Sequence, residues 1–290
     1  MSLCLVIDEM HSSLEPMLRE IGVQIHFRPE LKAAEVPAAL AAHPYDGLMV
    51  RSKLRITTSL LAHGPNLRYV ARAGAGVDNI DEEALAAAGV TLLNAPEGNR
   101  DAVGEFAIAL LLSLFRNVVR ADKEVRAGTW RREANRGEEL GGKIVGLIGY
   151  GHMGRSFARR LSAFDCTVLA YDIDPTVPAD QYATLVTLEE LQARADVVSL
   201  HFPYSAANHH FINEALLGAF QKPIWLMNTA RGEVLEHAAL VDALQNGRVR
   251  GAALDVLENE KLATLTAEQQ ARFDFLKSAD NVILSPHIGG

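Results

Sequence analysis

The sequence has little cysteine: two residues, Cys4 and Cys166, in a chain of 290. Two thiols so far apart offer neither a disulfide framework nor a metal-ligand spacing, so no metal is expected. Each lies in an apolar run, "LCLVID" and "FDCTVLAY", which predicts buried free thiols in strands. No apolar run reaches the length of a membrane span. The longest apolar helix candidate, "FAIALLLSLF", is short and flanked by charge. The opening "MSLCLVIDEM" lacks a basic n-region and a cleavage site, so it does not read as a signal peptide. Positive charge is in deficit. The net charge of -8 lacks the basic footprint that a phosphate backbone requires, although local clusters can hold a small anion. Neither a 20–50-residue repeat nor a low-complexity tract is visible. The expectation from these absences is a soluble, cytoplasmic protein with no nucleic-acid partner and no membrane partner.

What is present is ordinary globular material: 49% apolar and 22% charged residues, with length for about two domains. Short apolar runs alternate with helical patterns over the first 95 or so residues. "LCLVID", "VQIHF", "GLMV", "RYVARA" and "VTLLN" read as strands, with helices around 11–21, 32–42, 57–63 and 80–88. Repeated βα units imply a parallel sheet covered on both faces. Asn94 to Asn99 carry Pro and Gly and read as a connection. A long helix follows, with Asp101 as its N-cap. Its tail, Arg116 to Arg136, holds seven Lys or Arg residues mixed with Asp122, Glu124 and Glu133, which reads chiefly as a solvated face. From Lys143 a second series supplies six strands, "KIVGLIG", "CTVLAYD", "DVVSLH", "IWLMNT", "GAALDV" and "NVILS", as in a doubly wound sheet. The fold class is α/β, with two Rossmann-like or flavodoxin-like parallel-sheet domains and a cleft between them.

The strand "KIVGLIG" runs into "GYGHMG" and then the helix "RSFARRLSAF". This is G-x-G-x-x-G in its required context. Gly149 permits the turn, Gly151 lets the backbone approach a pyrophosphate, and Gly154 lets helix and strand pack closely. Free amides at the helix N-terminus favour phosphate. The next strand ends in "AYDID", with Asp172 23 residues after Gly149 and near the expected offset of ~20. A carboxylate there accepts from ribose hydroxyls and repels a 2′-phosphate, which favours NAD over NADP.

With "RAGAGVDNID", "NAPEGNRDAVGE", "GLIGYGHMG", "SLHFPYS", "NTARGEV", "GAALDVLENE" and "SPHIGG" in this order, the chain resembles the D-isomer-specific 2-hydroxyacid dehydrogenases over nearly its whole length. The stretches "NAPEGNRDAVGEFAIALLLSLFRN" and "WRREANRGEEL" look most like the 3-phosphoglycerate-oxidising branch. The resemblance implies catalytic roles for three residues. Arg231 would bind the substrate carboxylate and 2-oxo oxygen, a task suited to a planar, permanently charged fork. His287 would exchange the hydroxyl proton, since histidine titrates near neutrality, with an ordinary pKa of about 6.5. Glu260 would be its partner, because a carboxylate beside an imidazole fixes the tautomer and favours the protonated ring. "DVLENE" offers both Glu258 and Glu260, and the family spacing from Asp255 selects Glu260. The family often has Pro next, where this chain has Lys261. The following "TAEQQARFDFL" reads as a lid-like surface insertion without a catalytic part.

Further positions follow from the same matching. His152 and Met153 would sit over the pyrophosphate, His201 and Pro203 near the adenine, and Thr229 and Ala230 along the cofactor. Asp255 would hold the nicotinamide carboxamide, with Gly289 and Gly290 also beside the cofactor. Arg51, Ser52 and Lys53, with the amides of Ala75 and Gly76, would meet the substrate's acid and phosphate. Residues 1–95 completed by 283–290 would form the substrate domain, and residues 96–282 the NAD domain. The expected partner is a small 2-hydroxy or 2-oxo acid, phosphorylated if the branch is right, and the expected assembly is a homodimer through the long helix. Alternatives are a glyoxylate or hydroxypyruvate reductase and a nucleotide-sensing, corepressor-like binding protein. In the family a helix normally follows the histidine motif, whereas this sequence stops at Gly290.

Overall fold

The computed structural model describes residues 2–290, which divide into two compact units, one up to Asn99 and one from Arg100 onward. In the first unit, β1 (Ser2–Val6), β2 (Val23–Phe27), β3 (Gly47–Val50), β4 (Tyr69–Arg72) and β5 (Thr91–Asn94) form one parallel sheet in the order β2-β1-β3-β4-β5. This is the flavodoxin-like strand order. Every strand lies where the alternating pattern puts it. Two of the four intervening α-helices begin at side chains that satisfy a first amide: Leu60 N donates to Thr57 Oγ1, and Ala84 N to Asp81 Oδ1. Leu5, Ile7, Val36, Leu40, Leu48, Val50 and Val70 make the core.

The second unit holds β6 (Ile144–Ile148), β7 (Thr167–Tyr171), β8 (Thr184–Leu185), β9 (Val197–Leu200), β10 (Ile224–Asn228), β11 (Val249–Leu254) and β12 (Val282–Leu284). They pair in parallel in the order β12-β11-β10-β9-β6-β7-β8, so the order reverses between β6 and β9. Seven strands stand where six were expected. The addition, β8, is two exposed residues paired to Leu169 and Ala170, too short to leave a pattern in the sequence.

Strand alternation feeds two cores. Ile224 and Leu226 of β10 face the helices Leu188–Arg194, Glu214–Gly218 and His237–Gln245. Met227, with Val145 and Leu147 of β6, faces the helices Arg100–Phe115 and His152–Leu161. The latter two helices cross closely at Gly104, where an added Cβ would stand 2.6 Å from Ser156 Oγ.

Several details differ from the sequence reading. The boundary falls after Asn99, and residues 283–290 stay with the second unit because β12 pairs with β11. Asp101 lies inside the first helical turn, and its carboxylate meets Arg160 at 3.1 Å instead of capping. The long helix breaks at Asn117, which is left-handed (φ 54°), and resumes as Val118–Arg126 at 63°. Among the described residues no single helix is long and apolar enough to cross a membrane. Cys4 is a buried strand residue, whereas Cys166 is half-buried and precedes β7 by one position. The basic tail is paired with its own acids: Arg126 with Asp122, Arg131 with Glu124, and Arg136 with Glu133.

Two histidines are enclosed by the second unit. His201 follows β9 with Nε2 2.9 Å from Ser199 Oγ, and burial pushes its pKa down to about 4. His237 opens its helix and is also pushed down to about 4, by burial first and then by the charges of Arg272 and His210. Unfolded histidine takes up its proton near 6.5. Between those values the unfolded chain binds more protons than the folded one, so stability falls as pH drops from about 6.5 to about 4. The loss has an upper bound of ~3 kcal/mol per ring. Urea midpoints are expected to decline from about pH 7 to about pH 4.5, less steeply in His237→Gln. A flat profile would contradict two neutral buried rings.

Candidate functional site

The chemistry-bearing residues of the second unit collect at the carboxyl ends of its strands, where open α/β sheets bind ligands. β6 ends at the glycine loop, beside the reversal of strand order. Gly149 has φ +93°, so the left-handed turn needs glycine. A Cβ on Gly154 would come within 2.4 Å of the Gly149 carbonyl oxygen, so that glycine lets the helix start against the loop. Gly151 is different. It is exposed, and a Cβ there would meet nothing within 4 Å. The fold itself does not need glycine at this position, but a ligand lying on the backbone would. Asp172 stands beside the loop and accepts from Tyr150 N at 2.6 Å and from Asp174 N at 3.0 Å. Tyr150 OH and Arg155 Nη1 both donate to Asp180, at 2.7 and 2.6 Å, which braces the loop from below.

His201 is not at a ligand surface. Its ring is enclosed against Phe157, and its backbone underlies Gly149, where an added Cβ would stand 2.7 Å from the His201 carbonyl carbon. The expected adenine-side position therefore falls to exposed Pro203. His152 is exposed and Met153 half-buried in the first turn of the helix. At the end of β10, Thr229 has a buried Oγ1 with no hydrogen-bond partner, a polar atom turned to no protein group. Ala230 is buried next to it.

The ambiguity between the two glutamates resolves geometrically. Glu260 Oε1 lies 2.9 Å from His287 Nδ1, both side chains being about half exposed. Glu258 instead turns to His210, at 2.6 Å, and to His237. His287 itself is left-handed, with φ 55°. Its turn is organised by Asp255, which is 2% exposed. Asp255 Oδ1 accepts from Ser285 Oγ at 2.7 Å and from Ile288 N at 3.0 Å, and Oδ2 accepts from Gly289 N at 2.9 Å. Its carbonyl accepts from His287 N at 2.8 Å. The carboxylate expected at the nicotinamide carboxamide thus holds the terminal turn, with one Oδ2 lone pair left over. Gly289 is buried, and a Cβ there would stand 3.0 Å from Asp255 Oδ2 and 3.2 Å from Phe106, so the position serves the turn. Gly290 is exposed.

Arg231 follows β10, with Nη1 donating to the Ala230 carbonyl at 2.7 Å and its own carbonyl accepting from Asn228 Nδ2 at 2.8 Å. The segment expected to be a lid-like surface insertion is the helix Ala267–Ser278, with a reciprocal Thr266–Gln269 cap and Leu276 in the core. Its Phe273, with Leu262 and Leu284, lines a cavity of about 360 Å³ beside Glu260 and His287. Sequence reasoning missed this wall, because "TAEQQARFDFL" shows only a polar helix, and it missed Ser285, whose role depends on Asp255.

In the first unit Arg51 and Ser52 are exposed at the end of β3. Lys53 is partly engaged, with one of its three N–H donors left over. Its Nζ is held by the backbone carbonyls of Ile7 and of Pro29, the latter at 2.5 Å. The loop with Ala75 and Gly76 is anchored through carbonyls: Gly74 O accepts from Ala95 N, and Ala75 O from Asn94 Nδ2.

The model of the D-isomer-specific 2-hydroxyacid dehydrogenase NAD-binding domain matches residues 108–289, which contain every second-unit group just described from the glycine loop to Gly289. The chain belongs to the D-isomer-specific 2-hydroxyacid dehydrogenases. It is 38% identical over 253 residues to D-3-phosphoglycerate dehydrogenase of Mycobacterium tuberculosis, a match that spans 86% of this chain and 46% of that relative. The chain therefore spans about half the length of such relatives. It is 37% identical over 245 residues to hydroxypyruvate reductase of Thermotoga maritima, covering 84% of this chain and 78% of the other. Its fold superimposes on a glyoxylate reductase from Paecilomyes thermophila with a TM-score of 0.86 at 28% identity, covering 99% and 88% of the two chains.

The cofactor of this dehydrogenase domain is NAD, and the residues fit it. The open space above Gly151, the orphaned Thr229 Oγ1 and the Asp172 carboxylate beside the loop suit pyrophosphate, nicotinamide-side and ribose contacts in turn. A substitution at the open position separates ligand from fold. Gly151→Val should leave the melting temperature nearly unchanged, within the ~0.5 kcal/mol typical of surface changes, while NADH binding by fluorescence titration collapses. Retained binding would show that the cofactor does not lie on this loop.

Proposed function

We propose that the chain is an NAD-dependent oxidoreductase that interconverts a D-2-hydroxy acid and its 2-oxo acid. The observation that carries this is the His287–Glu260 contact at 2.9 Å, on the same unit as Arg231 and the glycine loop. With Nδ1 bonded to Glu260, His287 keeps Nε2 for the substrate hydroxyl. In the oxidising direction the hydroxyl proton passes to Nε2 as the C–O bond becomes a carbonyl. NAD, when bound, accepts the hydride that leaves C2. Arg231 holds the substrate carboxylate and draws charge toward the developing carbonyl oxygen. In the reducing direction His287 returns the proton.

The substrate pair we favour is 3-phospho-D-glycerate and 3-phosphohydroxypyruvate, which would place the reaction at the entry to serine synthesis. The mycobacterial relative at 38% identity and the exposed Arg51 in the first unit support this reading. A specific observation favours a second: Lys53 spends two of its three N–H donors on the Ile7 and Pro29 carbonyls, which leaves fewer donors for a phosphate, as an unphosphorylated hydroxypyruvate or glyoxylate substrate would allow. We propose a homodimer through the bent helix pair, where Val118, Val119 and Val125 stay half exposed and Trp130 is 82% exposed. A cytoplasmic setting is proposed from the two free thiols.

NADH oxidation against a panel of 2-oxo acids tests both readings. The expected outcome is highest kcat/KM on 3-phosphohydroxypyruvate, and a preference for hydroxypyruvate or glyoxylate would select the second. His287→Ala should lower kcat by ~10²–10⁴-fold and leave NADH affinity intact. Turnover at the wild-type rate in that variant would overturn the mechanism, and NADH binding without turnover on any acid would mark a nucleotide sensor.

A further inference from the structure

Glu258 is two residues from the glutamate that meets His287, yet it points elsewhere. Its side chain is only 13% exposed. A carboxylate so enclosed needs partners, and it has one in His210 Nε2 at 2.6 Å, with neutral His237 Nδ1 facing the other oxygen at 3.6 Å. The second distance is a contact and not a hydrogen bond.

His210 is tied by its backbone to the segment just after Arg231. His210 N donates to Glu233 O at 2.9 Å, Ile212 N to Val234 O at 2.9 Å, and Glu236 N back to Ile212 O at 2.9 Å. His210 is itself left-handed, with φ 53°, and its ring stacks on His209 at 3.9 Å. Such a conformation is uncommon for a residue with a Cβ and is held by its surroundings. From the other side, the Leu257–Glu258 peptide rests on Gly232. A Cβ on that glycine would stand 1.9 Å from the Leu257 carbonyl oxygen and 2.6 Å from Glu258 N. The loop bearing Glu260 is therefore fastened twice to the segment bearing Arg231, once through backbone at Gly232 and once through the Glu258 carboxylate at His210.

We propose that Glu258 is a positioning residue for proton transfer: clamped by His210, it fixes the 257–260 loop against the Arg231 segment and so sets Glu260 on His287. This rests on the acid–base reading of Glu260 and His287 given above. The Arg231 segment is the fixed side of the clamp, and the loop bearing Glu260 is the side that the clamp holds.

Kinetics on the full chain test it, with kcat, KM and NADH affinity measured for E258A, E258Q, H210N, E260A and the double variants. Asparagine is chosen at 210 because it tolerates the left-handed backbone. E258A and H210N should each lower kcat by ~10-fold, less than the ~10²-fold that an ångström of misplacement can cost, with NADH affinity unchanged. E258Q should restore most of the rate, because its amide oxygen still accepts from His210. In the E260A background, E258A should add no further loss, since the residue it positions is gone. A wild-type kcat in both E258A and H210N, or losses that multiply in E258A/E260A, would overturn the proposal. A wild-type kcat in E260A would overturn instead the acid–base reading on which it rests.

Discussion

The Asp255 carboxylate lies almost wholly out of water and is held there by Ser285 Oγ and by the amides of Ile288 and Gly289. An enclosed carboxylate is tolerated only when its oxygens are hydrogen-bonded, and backbone amides serve best when a turn points several at one place. That requirement shapes the last residues. It curls the chain after β12, pulls in Gly289 where an added Cβ would be crowded, and leaves His287 in a left-handed conformation that a histidine rarely adopts unaided. The imidazole meets Glu260 because the turn beneath it is fixed. The candidate acid–base chemistry thus depends on a carboxylate that touches neither the imidazole nor its partner glutamate.

The opposite wall of the site is built from backbone contact. Gly232 admits the Leu257–Glu258 peptide, Gly154 admits the Gly149 carbonyl, and Gly149 admits the His201–Phe202 backbone. In each place glycine permits an approach closer than any Cβ allows. Side-chain hydrogen bonds supply the remaining connections: Glu258 with His210, and Asp180 with Tyr150 and Arg155. Two kinds of fastening, steric and hydrogen-bonded, hold loops whose ends belong to different strands of one sheet.

Much of this was legible in the sequence, for physical reasons that also mark where legibility stops. Strands of a covered parallel sheet read as apolar runs, so the eleven strand candidates needed only the chain's own pattern. β8 escaped because two exposed residues have no period. The break at Asn117 escaped because Val118 and Val119 carry the apolar pattern on past it. Glu260 and His287 were named through the resemblance to the family's motifs, and the structure brings the two side chains together. The engagement of Lys53 by Ile7 and Pro29, the enclosure of His201, and the Glu258–His210 clamp were not, because each joins residues distant in the chain whose approach is set by the sheet. Sequence reasoning assigned Asp255 to a ligand. The fold gives the same carboxylate three donors of its own.

β12 has three residues, and it is the outermost strand of its sheet, paired only to β11. Edge strands open at less free energy than the strands they flank, since half their backbone groups have no neighbour to leave. Here that peripheral ribbon leads straight into the Asp255 turn and His287. A brief peeling of three residues would carry the imidazole away from Glu260 while the central strands stayed paired. On the acid–base role proposed for His287, loss of rate would follow the opening of this one edge. Activity would fade under mild denaturant or warming before any global probe reports unfolding, and amide exchange at Val282–Leu284 would track it.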